Sequence, residues 1–229
     1  TNDRRQRQMC IRDRDNKDLQ IKYTEGGDKL HLAYSFELLR KELSINSIQN
    51  SIDYFYSSTK DGWPCWSFSN HDVKRHISRW SEDKSNLSDL AKISCALLLS
   101  LRGTVCIYQG EELGQTETKL EFKELTDPPG IEFWPEEAGR DGCRTPMVWN
   151  SKKLNGGFSK VKPWLPVKKE QKQKSVDLQE DKNDSVLSFY KEMIKARKEH
   201  FKEIYDFDFI PSNDLLICLL YTSPSPRDA

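Results

Sequence analysis

The chain reads Trp66-Ser67-Phe68-Ser69-Asn70-His71-Asp72-Val73 over residues 66–73. The first half of this stretch is apolar and aromatic, which is typical of a buried strand. It then changes abruptly to Asn70, His71 and Asp72, three residues that can bond polar ligands. Parallel α/β sheets and barrels place their functional groups at the C-terminal ends of strands. The stretch therefore predicts an α/β fold with a candidate site at the end of this strand.

The sequence around this stretch alternates between strand-like and helix-like segments. A segment broken by six prolines follows at about 113–180, and we expect it to be a long loop. The rhythm predicts the second half of a (β/α)8 TIM barrel, followed by the start of a β-rich C-terminal domain near residue 204. The expected elements are a strand at 30–36, a helix from Ile45 to about 60, a strand at 64–69, a helix capped by Ser88, a strand at 104–108 and a helix over 185–201 capped by Asp184.

Both ends of the chain have the composition of translated sequencing-adapter DNA. Residues 4–14 back-translate to a string that includes ATGTGTATAAGAGACA, and residues 218–229 to one that includes TGTCTCTTATACACAT. These strings are reverse complements, as expected when one transposon end flanks both sides of a sequenced piece of DNA. We therefore expect 1–14 and 218–229 to be adapter-derived. The remainder divides into 15–203, the C-terminal half of the barrel, and 204–217, the start of the β-rich domain.

Composition limits the classes of partner. The chain carries 36 basic and 36 acidic residues, and subtracting six basic and three acidic residues of the two ends leaves a net charge of −3 over 15–217. We therefore expect no nucleic-acid partner, and we expect no membrane partner because no apolar run could span a bilayer. Between the ends lie Cys65, Cys95, Cys106 and Cys143, with no C-x-x-C metal pattern. These cysteines predict buried free thiols and a cytoplasmic location, with a periplasmic one left open.

The strand end offers a carboxylate, an imidazole and a guanidinium. Asp72 can accept hydrogen bonds from hydroxyl groups, and His71 can donate one from its ring. Arg75 could hold the strand end or Asp72 by a charged pair. Glycosidases flank the anomeric carbon with two carboxylates, and a third can accept hydroxyl hydrogen bonds that strengthen as the sugar becomes positive. The alternative is that residues 70–72 form only an Asx-turn before the next helix, and the local pattern alone favours that alternative.

Longer motifs, taken in order along the chain, resemble one family. They lie at 26–36, 61–66, 68–72, 76–80, 97–103, 108–114 and 139–147. With these motifs, residues 15–217 are similar to the second half of the catalytic barrel of bacterial α-glucosidases and oligo-1,6-glucosidases in the α-amylase clan, glycoside hydrolase family 13. One departure is Val148, where the family pattern has proline before tryptophan.

The resemblance implies roles for individual residues. Asp72 matches the carboxylate that stabilises the transition state, and His71 the residue that binds the same glucose. Asn70 is expected to join the substrate-binding residues. Arg140 is the first choice, and Arg144 the second, for the arginine that contacts the terminal glucose and favours exo-action. In contrast, we expect Glu111 and its neighbour Glu112 to be buried structural acids paired with backbone donors.

The resemblance also implies an activity. In this family the nucleophilic Asp and the general-acid Glu follow earlier strands, upstream of residue 15, so we expect the chain to be inactive alone. The whole protein is expected to be a retaining exo-acting α-glucosidase, with maltose, malto-oligosaccharides or isomaltose-type sugars as small-molecule substrates. We expect no cofactor and no metal site. The alternatives are a glucosyltransferase or isomerase of the clan and a non-catalytic, glycosidase-like transporter subunit.

Overall fold

The computed structural model describes residues 17–39, 44–81, 86–200, 206–210 and 217–221, with backbone alone for the last two segments. Its helices are α1 Lys17–Thr24, α2 Ile45–Ser58, α3 His76–Trp80, α4 Leu87–Ser100, α5 Pro128–Glu132, α6 Asp141–Arg144, α7 Lys169–Lys172, α8 Val176–Gln179 and α9 Val186–His200. Its strands are β1 Ala33–Tyr34, β2 Pro64–Trp66, β3 Thr104–Val105, β4 Asp206–Ile210 and β5 Ile217–Tyr221. No helix within the described residues is long and apolar enough to cross a membrane.

The chain divides into two compact units, each made of separate segments. The first unit consists of Thr1–Ser67, Ser100–Cys106 and Ala196–Ala229, and the second of Phe68–Leu99 and Ile107–Lys195. The predicted boundaries at 14/15, 203/204 and 217/218 stay predictions. Residues 1–16 and 222–229 lie outside the described residues.

The first unit contains a three-stranded parallel sheet in the order β1-β2-β3. Strand β2 lies in the middle. On one side its Pro64 pairs with Ala33 of β1, and on the other its Trp66 pairs with Val105 of β3. Helix α2 connects β1 to β2, so the parallel order confirms the α/β prediction, since parallel strands need a crossover connection. The paired strands are shorter than the strands predicted from the apolar runs at 30–36, 64–69 and 104–108. A separate antiparallel hairpin of β4 and β5 follows, with Ile210 opposite Ile217.

The core of the first unit lies around Trp66. Its indole is fully buried and donates to the backbone carbonyl of Arg102. The ring of Phe55 on α2 meets it edge-on, with centroids 5.9 Å apart. Helix α2 buries Ile48, Ile52 and Phe55 on one face, and Ser44 caps it by accepting a hydrogen bond from Ser47 N–H. Burying aromatic rings in this way fixes the strand that leads to residue 67.

Helix α4 in the second unit departs from its predicted packing. It begins at Leu87, so Ser88 lies inside the helix and is not its cap. The spacing of the apolar residues Leu90, Ile93 and Leu97 predicts one buried face of this helix. Ile93 is exposed, however, and the face with Ala91 and Cys95 is buried instead. Small residues allow the neighbouring backbone to approach, and a Cβ at Gly114 would lie 3.5 Å from that of Ala91. Close packing of small residues therefore decides the orientation of α4.

Candidate active site

The second unit begins with the turn that carries the candidate residues. The side-chain oxygen of Asn70 accepts hydrogen bonds from the N–H groups of Asp72 and Val73, at 2.8 and 3.2 Å. This is the Asx-turn that the sequence left open as an alternative. The turn is held from behind because Ser69 Oγ accepts a hydrogen bond from the backbone N–H of His76 at the start of α3. Asn70 is buried and thus fixes the backbone conformation of Asp72.

Asp72 lies among the other predicted site residues. Its Oδ1 is 3.2 Å from Nη1 of Arg140 and 3.3 Å from Nη2 of Arg144, and its Oδ2 is 3.2 Å from Nε2 of His71. Arg144 also donates from Nε to the carbonyl of His71 at 2.8 Å. The side chain of Asp72 is 45% exposed. Residues 68 positions apart in sequence are thus brought together around one carboxylate that remains open to solvent.

A second carboxylate, which the sequence analysis missed, holds the two arginines. Asp127 accepts hydrogen bonds from the backbone N–H, Nε and Nη2 of Arg140, the last at 2.7 Å. Its side chain is 1% exposed and its Oδ1 lies 3.7 Å from Nη1 of Arg144. The hydrogen bonds from Arg140 lower the pKa of Asp127, and Asp127 raises that of Arg140. The available signal was an acid directly before Pro128 and Pro129, since such an acid favours the start of a helix.

Asp141 supports Asp127 from inside the unit. It is fully buried, and its Oδ2 accepts a hydrogen bond from the N–H of Asp127 at 2.8 Å. It also accepts from the hydroxyl of Thr126. Two consecutive residues of the motif at 139–147 therefore have different tasks. Arg140 faces the exposed carboxylate of Asp72, while Asp141 fixes the segment that carries Asp127.

Arg75 does not pair with Asp72. It is 1% exposed, and its guanidinium donates to the carbonyls of Gln109 and Cys143 at 2.7 and 2.9 Å. It also lies over the ring of Tyr108, 5.2 Å from the centroid. The expectation of a charged pair with Asp72 is therefore wrong, because Arg75 points into the unit and satisfies carbonyls of two other segments.

The two adjacent glutamates differ from each other. Glu112 is half-buried and not buried as expected. Burial raises its pKa, which the backbone N–H groups of Glu112 and Gly110 oppose, but its Oε2 has no hydrogen-bond partner among the described residues. Glu111 is buried but has a different neighbour, with Oε1 3.3 Å from Nδ1 of His76. The expected backbone donors are wrong for Glu111, since neither of its carboxylate oxygens has a hydrogen-bond partner among the described residues.

The cysteines are thiols, as predicted, but their burial is not uniform. Cys65, Cys95 and Cys143 are buried, and burial raises the pKa of Cys143 to about 12. Cys106 is exposed, so its predicted burial is wrong. In the part of the chain that the structure describes, no group of three or more His, Cys, Asp or Glu residues could hold a metal ion.

The arrangement around Asp72 is suited to polyhydroxylated ligands. A carboxylate accepts hydrogen bonds from hydroxyl groups, whereas the guanidinium groups of Arg140 and Arg144 donate to hydroxyl oxygens. Donors and acceptors thus alternate over a few ångström. Buried Asp127 holds both arginines, and Asp141 in turn holds Asp127. The guanidinium groups are therefore oriented before a ligand arrives.

The parallel β/α sheet is typical of barrel proteins, and the cluster around Asp72 offers hydrogen-bond donors and acceptors to hydroxyl groups. The chain belongs to the alpha-amylase catalytic domain family, whose model matches residues 7–206. Structural neighbours are barrel enzymes of this family, and the chain folds as part of such a barrel, which confirms the predicted fold class.

Several named proteins are similar to the chain. A probable alpha-glucosidase of Rhizobium meliloti (strain 1021) is 48% identical over 177 residues, covering 77% of the chain and 32% of the relative. A glucan 1,6-alpha-glucosidase of Streptococcus pneumoniae serotype 4 is 30% identical over 212 residues, covering 85% and 38%. The crystal structure of an alpha-glucosyl transfer enzyme, XgtA, superposes with a TM-score of 0.81 at 39% identity, covering 89% and 38%. The chain spans about a third of the length of these curated relatives.

Proposed function

We propose that the chain supplies the terminal-glucose subsite and one catalytic carboxylate of a retaining, exo-acting α-glucosidase. The observation that carries the proposal is Asp72, which is exposed between Arg140 and Arg144 while buried Asp127 orients both guanidinium groups. The similarity to a probable alpha-glucosidase and to a glucan 1,6-alpha-glucosidase supports a glycosidase of this class. The substrates would be maltose, malto-oligosaccharides or isomaltose-type sugars.

Asp72 acts through hydrogen bonds in this proposal. A retaining glycosidase first transfers the sugar to a carboxylate nucleophile while a second carboxylic acid protonates the leaving oxygen, and water then releases the sugar. As positive charge develops on the ring, hydroxyls bound to Asp72 become better donors, so the interaction is stronger in the transition state than in the bound substrate. His71 donates to the same sugar. The nucleophile and the acid would come from a part of the protein outside this chain.

The two arginines would close one end of the subsite. Their donors satisfy hydroxyl oxygens of the terminal glucose, and their anchoring to Asp127 prevents them from moving aside for a longer chain. A site closed in this way accepts only chain ends, which is exo-action. Asn70 would contribute by fixing the turn, since its side-chain oxygen is engaged there. We propose a cytoplasmic location because the described cysteines are thiols.

Glucosyl transfer is the second candidate function. It uses the same glucosyl-enzyme but replaces water by a sugar hydroxyl, and the 39% identity to an alpha-glucosyl transfer enzyme favours it. A non-catalytic transporter subunit is less well supported. Such a protein has no need of an exposed carboxylate between two oriented guanidinium groups.

A chimera tests the proposal. The matched third of the Rhizobium meliloti relative is replaced by the matching residues of this chain, without the ends 1–14 and 218–229, and glucose release from maltose and isomaltose is measured. We expect release, and Asp72→Asn should reduce kcat by at least about 100-fold, the typical effect of removing one transition-state hydrogen-bonding group. Asp181→Asn, an exposed aspartate outside the cluster, serves as the matched control. Release that survives Asp72→Asn would contradict the role of Asp72, and products of transfer without free glucose would favour the second candidate.

A further inference from the structure

Two aromatic rings lie exposed beside each other in the second unit. The centroids of Phe122 and Trp134 are 6.0 Å apart, with their planes inclined at 49°. Phe122 is 51% and Trp134 38% exposed, and the adjacent Phe133 is exposed as well. We name the Phe122–Trp134 pair the aromatic platform. Large rings exposed side by side mark binding surfaces more often than single exposed residues do.

The segment that carries Trp134 is anchored at both ends to the cluster around Asp72. It begins at Asp127, whose carbonyl accepts a hydrogen bond from Ile131 N–H, and it ends at Arg140, whose N–H donates to the Asp127 carboxylate. Between these residues the backbone closes on itself, and a Cβ at Gly130 would lie 2.6 Å from the carbonyl oxygen of Ala138. The position of Trp134 is therefore tied to the residues that hold Arg140.

The turn that carries Phe122 is also fixed. Glu124 accepts a hydrogen bond from the N–H of Glu121 at 2.8 Å, and its carboxylate pairs with Lys168 at 2.6 Å. The hydrogen bonds within this turn and the ion pair fix the backbone around Phe122, whose ring lies beside that of Trp134. Little conformational entropy is then lost when a ligand settles on the platform, since two aromatic side chains are already in place.

We propose that the aromatic platform binds the sugar ring on the leaving-group side of the scissile bond, or the acceptor sugar in transfer. The inference rests on the proposed function and adds the residues that recognise the second sugar. A pyranose presents a flat face of C–H groups that packs on aromatic rings, while its rim of hydroxyls needs polar partners. Exposed Glu132 and Glu136 lie on either side of Trp134 in sequence and offer acceptors for those hydroxyls.

A second group of exposed rings provides the contrast. Trp149, Phe158 and Trp164 are also exposed, but their loop is closed by bonds from the N–H groups of Trp149 and Asn150 to the carbonyl of Gly156. That loop shares no residue with the cluster of Asp72, Asp127 and the two arginines. Phe158→Ala is therefore the matched control for Phe122→Ala.

The experiment compares two substrates of the chimera described above. Maltose loses a glucose ring, whereas α-glucosyl fluoride loses only fluoride, and water supplies the hydroxyl to the released glucose in both cases. Trp134→Ala and Phe122→Ala should each raise KM for maltose by about 2- to 12-fold, the range expected for one ring contact. The same variants should leave kcat/KM for α-glucosyl fluoride unchanged within about twofold. Trp134→Phe should restore much of the binding of maltose, and Phe158→Ala should change neither substrate.

The outcomes separate this inference from the proposed function. Equal effects on both substrates, or no effect on either, would overturn the platform while glucose release upholds the glucosidase. If the chimera releases no glucose, the fluorescence change on titration with maltose is compared between the chimera and its Trp134→Phe variant. A change that depends on Trp134 supports the platform although the glucosidase proposal fails. The absence of such a change overturns both.

Discussion

Replacing Arg75 by methionine should destabilise the chain more than almost any other single substitution of a charged residue. The guanidinium is 1% exposed and donates to the carbonyls of Gln109 and Cys143. These carbonyls belong to two segments that are otherwise far apart in sequence. Methionine has a comparable length and no donor. It would leave the carbonyl of Gln109 without the Arg75 bond, and the carbonyl of Cys143 with only the hydroxyl of Tyr108, which donates to it at 3.1 Å.

The structure gives the magnitude. A hydrogen bond from a charged group contributes about 1.5–3 kcal/mol, so the two bonds of Arg75 account for about 3–6 kcal/mol. Burial of the methionine side chain offsets part of this loss in the free energy of unfolding. We expect a net loss of about 3–4 kcal/mol, similar to the roughly 3–5 kcal/mol lost when one partner of a buried charged pair is removed. For a 229-residue chain this corresponds to a fall in Tm of about 6–16 °C.

Thermal unfolding followed by circular dichroism measures the effect. Arg75→Lys keeps the charge but cannot reach both carbonyls, so its Tm should fall between those of the original chain and the methionine variant. Lys152→Met, at an exposed position, should change the free energy of unfolding by less than about 0.5 kcal/mol. If Arg75→Met lowers Tm by less than 2 °C, about the shift expected for 1 kcal/mol or less, the two hydrogen bonds of Arg75 contribute little to stability and the reasoning is refuted.

Three further substitutions test the packing and electrostatics. Gly139→Ala would place a Cβ 2.7 Å from Oδ2 of Asp127, at a backbone φ of +66°. Gly27→Ala is the control, since its φ is +72° and no atom lies within 4 Å of the new Cβ. Thermal unfolding should show that Gly139→Ala lowers the free energy of unfolding by at least about 2 kcal/mol more than Gly27→Ala does. Burial raises the pKa of Glu117, so the folded chain retains a proton that the unfolded chain releases above about pH 4.5. Stability from this group falls as pH rises from about 4.5 through its folded pKa, and Glu117→Gln should flatten the Tm–pH profile above about pH 4.5. An unchanged slope would contradict the assignment. Ser44→Ala removes the cap of α2 and should cost about 1 kcal/mol in urea unfolding, with no loss expected if the cap is made by water.

The predictable part of the fold follows from strong local patterns. The abrupt end of the apolar run at residues 66–69 located the candidate site, since a buried strand must surface where polar residues begin. The strands themselves pair over only two or three residues, because an apolar run reports burial and not the hydrogen bonds of a ladder. The face of α4 was predicted wrongly for a related reason. Ile93 is exposed, whereas the smaller Ala91 is buried. Ala91 is buried because the neighbouring backbone at Gly114 approaches it closely, and hydrophobicity alone does not predict such an approach.

Site residues that belong to one sequence motif could be predicted. Site residues that only the tertiary structure brings together could not. Arg140 and Arg144 could be chosen from their motif. The acid before Pro128 indicated only the start of a helix, and not that Asp127 holds Arg140 from 13 residues away and pairs with Arg144 as well. Arg75 shows the converse. It stands three residues from Asp72, within easy reach along the chain, yet it bonds carbonyls 34 and 68 positions distant. Proximity in sequence therefore gives no reliable guide to which buried charges meet.

The pairing of Asp72 and Asp127 with Arg140 and Arg144 has a consequence for how ligands arrive. Two negative and two positive groups within hydrogen-bonding distance cancel one another, so their combined field decays within a few ångström. Such a cluster neither attracts anions from afar nor repels them, and dissolved salt has little long-range attraction to screen. In the proposed function, recognition would therefore begin only on contact, through the directions of individual hydrogen bonds, and these directions would select an uncharged sugar from a solution crowded with charged molecules.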